Sequence, residues 1–381
     1  MNATTTDHAG SELPPDPAHP ITDAFRADNW AGYDEDDPRT LSGINLDSRA
    51  SYIGSALGSL AIVWLVYGSL LPTEGGVGFV ICWIAVFLIM YAAVSWVGNP
   101  WPVVVDRFVS AVAGIAALIV FGALASTLIY TVMRGWGALV HLNFYTQDMA
   151  GVRPTDPLTK GGILHAIVGS FIEVGIAAAM ALPLGIGTAI YLTEVGGRLS
   201  QIVRTVVEAM TALPDILAGL FIYAVLIIAL GWERSGFAAA SALFITMVPI
   251  IARSAEIQLR LVSGGLREAG LALGSSQWAT VRRVIIPSAK SGLATALILA
   301  IARAVGETAP VLITSGASTF LNFNPFVNPM NSLPLFTYSA VRSGQPFYIV
   351  RGFGAATVLL VIVVVLFTTM RMLTRSKGTN R

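Results

Sequence analysis

The 381-residue sequence is poor in cysteine, histidine and charge: one cysteine, four histidines and 12% charged residues. A lone cysteine, Cys82, excludes an internal disulfide and any thiol cluster for a metal or a redox couple. His8, His19, His141 and His165 are too scattered for the His-Glu-x-x-His pattern of an intramembrane metalloprotease, so no metal site is expected. No glycine-rich loop ends in Gly-Lys-Ser or Gly-Lys-Thr, so the chain is expected to bind no ATP or other cofactor itself. With 55% hydrophobic residues, charge this sparse also excludes an ordinary water-facing surface.

What fills the sequence instead is apolar stretches of about 20 residues, each long enough to cross a bilayer. Eight are read, near 52–71, 77–97, 108–133, 163–192, 203–230, 236–256, 291–314 and 352–373. The first fifty residues differ: they hold ten of the 22 acidic residues and three of the 23 basic ones. Residues 1–48, with the run Asp34-Glu35-Asp36-Asp37 and no signal-peptide pattern, are expected to be a disordered, retained, acidic tail. An even number of spans puts both termini on one side with the loops after spans two, four and six. That side gathers twelve Lys and Arg, from Arg107 to Arg381, against six on the other. By the positive-inside rule the termini are expected in the cytoplasm, and the protein multi-pass in the plasma membrane. The segments 134–160 and 316–351 then face outward, and their prolines and aromatics suit short interfacial helices that meet an external partner.

The loop 259–290 between spans six and seven is too polar to cross and too structured to be a linker. Ala, Leu and Glu before Gly274 favour a short helix, and Gly274 permits a tight turn. Trp278, Val281 and Ile285 then recur at the spacing of a second amphipathic helix, expected to end at Pro287. Such a hairpin either presses as a rigid knob into another protein or rests on lipid headgroups.

In span seven, Arg303 lies about 12 residues past the expected start, or roughly 18 Å into a core of about 30 Å. Glu307 follows one turn later on the same face. A charge at that depth costs about 2.5–3.5 kcal/mol on insertion scales, so it is kept when paired or facing a wet pathway. Two readings stay open: a structural ion pair, or an anion pathway in which the planar guanidinium meets two oxygens of an oxyanion. Thr308 and Thr314 are candidate hydroxyl donors, although a threonine in such a helix often bonds its own backbone. Glu173 and Asp215 are candidates for a pathway or gate. Glu208, Arg253 and Glu256 near span ends read as structural, and His165 as a satisfied packing histidine. Pro310 is expected to bend the outer half of span seven. The series Gly169, Gly175, Gly185, Gly187 suits close helix packing or a sliding interface.

Glu268-Ala269, Gly274 and Val284-Ile285-Ile286-Pro287 resemble the conserved cytoplasmic loop of importer-type ABC permeases: Glu-Ala-Ala, three residues, Gly, nine residues, Ile, one residue, Leu-Pro. Gly270, Val284 and Ile286 depart from the pattern, and only Gly270 is expected to loosen the helix, by roughly 1 kcal/mol. Ala302-Arg303-Ala304-Val305-Gly306-Glu307-Thr308-Ala309-Pro310 is similar to the Ala-Arg-Ala-Ile-Gly-Glu-Thr-Ala-Pro sequence of the PstA family of phosphate permeases. Leu182-Pro183-Leu184-Gly185, Gly219-Leu220-Phe221 and Asn328-Pro329-Met330 are similar to the same family, which has Pro-Ser where this chain has Pro214-Asp215.

The resemblance implies an all-α type I ABC importer permease: a six-helix domain over 108–373, two added helices over 49–107 and a short cytoplasmic tail over 374–381. It implies a non-enzymatic subunit that moves inorganic phosphate through the bilayer, with no nucleic-acid partner. Its implied partners are a second, PstC-like permease, two PstB-like ATPases carrying ATP and Mg, and an external PstS-like phosphate-binding protein. Glu268, Ala269, Gly274 and Pro287 would serve ATPase coupling, and Arg303, Glu307 and Thr308 the substrate pathway. A permease for sulfate or molybdate, or a non-transporting scaffold or sensor, are the alternatives.

Overall fold

The computed structural model describes residues 46–70 and 75–374. The acidic tail and the last residues of the terminal segment lie outside them. Among the described residues seven helices are long and apolar enough to cross a membrane, or eight if one bent pair counts as a span. The chain divides into two compact units, residues 1–121 and 122–381.

In the first unit α1 (Leu46–Leu65) and α2 (Gly76–Gly98) form a hairpin. Gly58 lets Met90 approach to where a Cβ would meet its Cε at 2.6 Å. Tyr52, Phe87 and Tyr91 cluster with ring centroids 5.2–5.8 Å apart. The Trp83 indole donates to the Ala56 carbonyl at 3.3 Å. α3 runs unbroken over Trp101–Leu139, so the boundary expected between 107 and 108 falls inside a helix.

The second unit is built around α5 (Leu164–Ile190) and α8 (Gly236–Arg260), which pack along their length. Ala177, Ala178, Ala181, Ala239 and Ala240 fill the interface with Leu243 and Ile251. Small side chains let backbones approach closely where no hydrophobic drive separates helix from lipid. Interior prolines Pro183 and Pro249 are accommodated because neighbouring helices cover the disturbed backbone. The glycine series divides in two. A Cβ on Gly169 would lie 1.9 Å from the Asn331 carbonyl oxygen and one on Gly185 2.6 Å from Ile251, whereas Gly175 and Gly187 meet nothing within 4 Å.

Span five is not straight. It breaks at Leu213-Pro214 into α6 (Arg198–Ala212) and α7 (Asp215–Ile222, continued by a π-helical stretch to Ala229), with a bend of 100°. Pro214 disfavours helix at Leu213, which is extended at ψ 132°. Span seven also breaks. α11 (Ile286–Gly306) ends at Glu307, extended at ψ 127°, and α12 (Ala309–Thr314) restarts. The break comes ahead of the expected Pro310 bend because the proline ring would clash with the carbonyl four residues back, at Gly306.

At the end of the unit reached by α3, the segment 143–162 holds only one helical turn, α4 (Asn143–Thr146), in place of several interfacial helices. It is ordered by side chains instead: Asn143 donates to the carbonyls of Leu158 and Gly161, and the buried Arg351 to those of Pro157 and Lys160, all at 2.8–3.0 Å. Arg351 lies in α14 (Pro346–Thr374), against which α13 (Leu333–Arg342) packs. His165 packs edge-on to Phe336 as expected, but neither ring nitrogen has a hydrogen-bond partner among the described residues.

The divided glycine series is testable in the purified permease. Gly185→Ala should cost about 1–3 kcal/mol and lower the melting temperature, since Ile251 must shift. Gly187→Ala should be neutral or stabilise by up to about 1 kcal/mol. Equal melting temperatures for the two variants would contradict this packing.

Candidate functional site

Two groups of side chains stand out, one at each of the features above. The first is the hairpin between α8 and α11. α9 (Gly264–Ala272) carries Glu268 and Ala269, both exposed. It ends in a Schellman turn: Gly274 N–H donates to the Leu271 carbonyl at 2.9 Å and Ser275 N–H to that of Gly270 at 3.2 Å. Gly274 has φ +76°, a left-handed conformation that costs a side chain strain, so the motif glycine is required by the turn itself. The Ser276 hydroxyl caps α10 (Gln277–Thr280) by accepting from Ala279 N–H. Gly270, expected to loosen α9, instead lets the two arms touch. A Cβ there would meet the Thr280 side chain at 2.8 Å.

Pro287 does not end the second arm. α10 runs through a π-helical turn, Val281–Ile285, into α11, where Pro287 occupies the first turn. A missing N–H is tolerated at that position and the fixed φ is already helical. Val281 and Ile285 are buried against Leu259 and Leu293, while Trp278, expected on the same face, is exposed. With Leu271 and Leu273, the latter 88% exposed, it gives the hairpin tip an apolar surface. The base is fixed by Arg267, whose guanidinium grips Glu194 with Nη2–Oε1 at 3.0 Å. Nothing in the sequence pairs these residues, which are 73 positions apart.

The second group sits where the two broken spans meet. Gly219 of α7 lies so close to α12 that a Cβ would be 2.6 Å from the Pro310 carbonyl oxygen. Arg303 occupies the last turn of α11, one turn before its end. Asp215 opens α7 just past the bend. A helix C-terminus favours a cation and an N-terminus an anion, so each charge sits at the end that stabilises it. Arg303 Nη2 lies 3.2 Å from Asp215 Oδ2 and its Nε 3.1 Å from Glu307 Oε1. One guanidinium thus carries two carboxylates. All three side chains keep some exposure, Arg303 the most at 53%.

The crevice beside Arg303 and Asp215 is about 40 Å³, lined also by Leu213, Pro214, Thr246 and Pro249. A space of that size takes on the order of one to three waters, and it is partly open where Arg303 is exposed. Thr308 precedes α12 and its side chain does not cap it. Thr314 donates to the Pro310 carbonyl at 2.8 Å, the backbone bond expected of a helical threonine. Glu173 does not join the cluster. It is fully buried in α5, 2.5 Å from the Ser315 hydroxyl, with its second oxygen lacking a hydrogen-bond partner among the described residues. Glu208 pairs with Arg253, and Glu256 with Arg204 and Arg260, tying α6 to α8. Among the described residues no group of His, Cys, Asp and Glu is placed to hold a metal ion.

Residues 181–377 match the model of the binding-protein-dependent transport system inner membrane component family. Over 233 residues the chain is 40% identical to phosphate transport system permease protein PstA 1 of Mycobacterium tuberculosis strain H37Rv, covering 61% of this chain and 75% of that one. Over 218 residues it is 35% identical to the PstA permease of Haemophilus influenzae, covering 57% and 75%. A solved inward-facing MetNI methionine ABC transporter chain is similar at a TM-score of 0.45 and 20% identity, over 56% of this chain and 93% of that one. With its spaced loop motif and all-helical spans, the chain belongs to the family of binding-protein-dependent transport system inner membrane components.

Proposed function

We propose that this chain is the permease subunit of an ATP-driven importer of inorganic phosphate, forming half of a translocation pathway. The observation that carries the proposal is Arg303, held by Asp215 and Glu307 at the meeting point of two broken spans. Irregular backbone at membrane depth is tolerated where protein buries it or where it lines a water-filled cavity. An arginine there offers planar paired donors to an oxyanion and keeps its charge. Phosphate is favoured over sulfate or molybdate because the relatives are phosphate permeases. A scaffold without transport has no use for a charge in such a place.

So small and partly open a crevice leaves an anion at Arg303 unenclosed by this chain. The exposed side of Arg303 therefore faces the pathway, which a second, PstC-like permease completes. Asp215 and Glu307 set how tightly the anion is held. Two carboxylates share one guanidinium, so an anion competes with them for Arg303 and is displaced again when they return. Exchange of that kind keeps binding weak enough for release. Thr308, next to Glu307 in the chain, adds a hydroxyl donor in this reading. Glu173, buried beside Ser315, serves helix pairing in this reading.

The hairpin is the coupling device. Its apolar tip with Glu268, Ala269 and Gly274 docks on one of two PstB-like ATPases, which bind ATP and Mg, while Pro287 starts the helix that carries Arg303. The hairpin end and both termini face the cytoplasm, as the twelve-to-six bias of Lys and Arg supports. The end bearing 143–162 receives a PstS-like phosphate-binding protein.

Uptake of labelled phosphate, read beside the amount of intact complex, tests the pathway. Arg303→Gln should lower uptake at least about tenfold at normal complex levels and Arg303→Lys by less, since lysine keeps the charge without the fork. Asp215→Asn should hold phosphate more tightly and release it more slowly. Normal uptake by Arg303→Gln would sink the pathway role. Docking has its own test: Glu268→Lys or Gly274→Asp should leave the permease inserted while purified complexes lose the ATPase or its stimulated hydrolysis. Parental assembly and hydrolysis by both variants would disprove it.

A further inference from the structure

We infer that Arg267 and Glu194 are positioning residues of the coupling step, a clamp that makes the hairpin and the α5–α8 pair move as one body. The inference rests on the proposed function and adds residues to it. Glu194 lies in the π-helical turn Tyr191–Val195 that ends α5, and its side chain is only 7% exposed. Both carboxylate oxygens are taken by Arg267, at 3.1 and 3.2 Å from Nε and, for Oε1, 3.0 Å from Nη2. The same guanidinium donates to the carbonyls of Leu259 at 2.7 Å and Val262 at 3.1 Å, at the C-terminal end of α8. The Leu259 carbonyl also accepts from Val262 N–H at 3.3 Å, and the negative end of the helix favours the cation. Finally, the backbone carbonyl of Glu194 accepts from the Gln277 side chain at the start of α10.

Both arms of the hairpin are therefore fastened to Glu194, α9 by its carboxylate and α10 by its carbonyl. α8 continues the connection. Ten residues before Leu259, or about 15 Å along the helix, Pro249 lines the crevice beside Asp215 and Arg303. A push on the exposed tip, Leu271, Leu273 and Trp278, then reaches the charge cluster through one rigid helix. A hairpin without the clamp would still present its docking surface but would turn at its base and absorb the motion. Lysine cannot replace Arg267, because a single ammonium cannot serve a carboxylate and two divergent carbonyls in a planar fork.

The test uses the complete complex in liposomes with Arg267→Lys and Glu194→Gln. The expected result is retention of both ATPase subunits and of basal hydrolysis within about twofold. Stimulation by phosphate-loaded binding protein and phosphate moved per ATP should each fall about tenfold or more. In Cys82→Ser permease with spin labels at Leu199→Cys and Leu273→Cys, the inter-label distance distribution should broaden with Glu194→Gln. Unchanged transport per ATP, or a loss that only tracks lost ATPase subunits, would overturn the clamp. If the parent complex moves another oxyanion, the phosphate reading falls, while that anion moved per ATP still reads the clamp.

Discussion

Inside a bilayer a backbone N–H or C=O without a partner finds no water, and this constraint governs where the chain is allowed to be irregular. Two of its spans break, at Leu213-Pro214 and at Glu307-Thr308. The breaks are not scattered. α7 and α12 pack on each other, closely enough that Gly219 has no room for a side chain beside Pro310. Each broken helix leaves a polar end, and the sequence supplies Asp215 at one and Arg303 at the other. The proline that forces each break and the charge that uses it are thus parts of one arrangement. Pro214 precedes Asp215, and Pro310 follows Glu307 by three residues.

The same constraint explains the alanine-rich contact of α5 with α8. Helices that must move together without a hydrophobic drive need close backbone contact, and Ala177, Ala181, Ala239 and Ala240 provide it. Polar ties then secure the end of the pair bearing the hairpin: Glu194 to Arg267, Glu256 to Arg204 and Arg260, and Glu208 to Arg253. Ion pairs add little net stability singly, whether exposed like Glu208–Arg253 or with a largely buried acid like those of Glu194 and Glu256. Their value here is geometric, since they fix the angles at which α6 and α9 leave the α5–α8 core.

The apolar spans and the hairpin were readable from sequence because both depend on local signals, apolar run length in one case and the spacing of Glu and Gly in the other. Gly274 needed only its turn, and its turn is what the structure contains. The breaks were not readable in the same way. Leu213-Pro214-Asp215 lies within an apolar run, so hydropathy passes over it and only the proline hints at a bend. Pro287 misled in the opposite sense, since a proline that stops one helix and one that starts the next look identical until the π-helical turn before it is known. Asp215 was legible as a candidate for the pathway or gate, or as a countercharge for an arginine, but not which arginine: Arg303 is 88 residues away, and no periodicity reports such a contact. The spacing of four between Arg303 and Glu307 pointed to a contact, and contact exists, although through a helix end and not along a continuous helix.

That difference matters for how the arginine works. In a continuous helix an i, i+4 pair is fixed by the backbone and changes little when the helix moves as a body. Here Glu307 sits on extended backbone between α11 and α12, and Asp215 belongs to a third element, α7. The two carboxylates therefore approach or leave Arg303 whenever α7, α11 and α12 shift relative to one another. α8 lines the crevice with Thr246 and Pro249 near its middle and receives an Arg267 donor at Leu259, close to its C-terminal end. A displacement of a fraction of an ångström along α8 is enough to lengthen a 3.2 Å ion pair beyond hydrogen-bonding range. The strength with which Arg303 attracts an anion is then set by the position of the helices and not by the arginine alone, which is what alternating access to a weakly held ion requires.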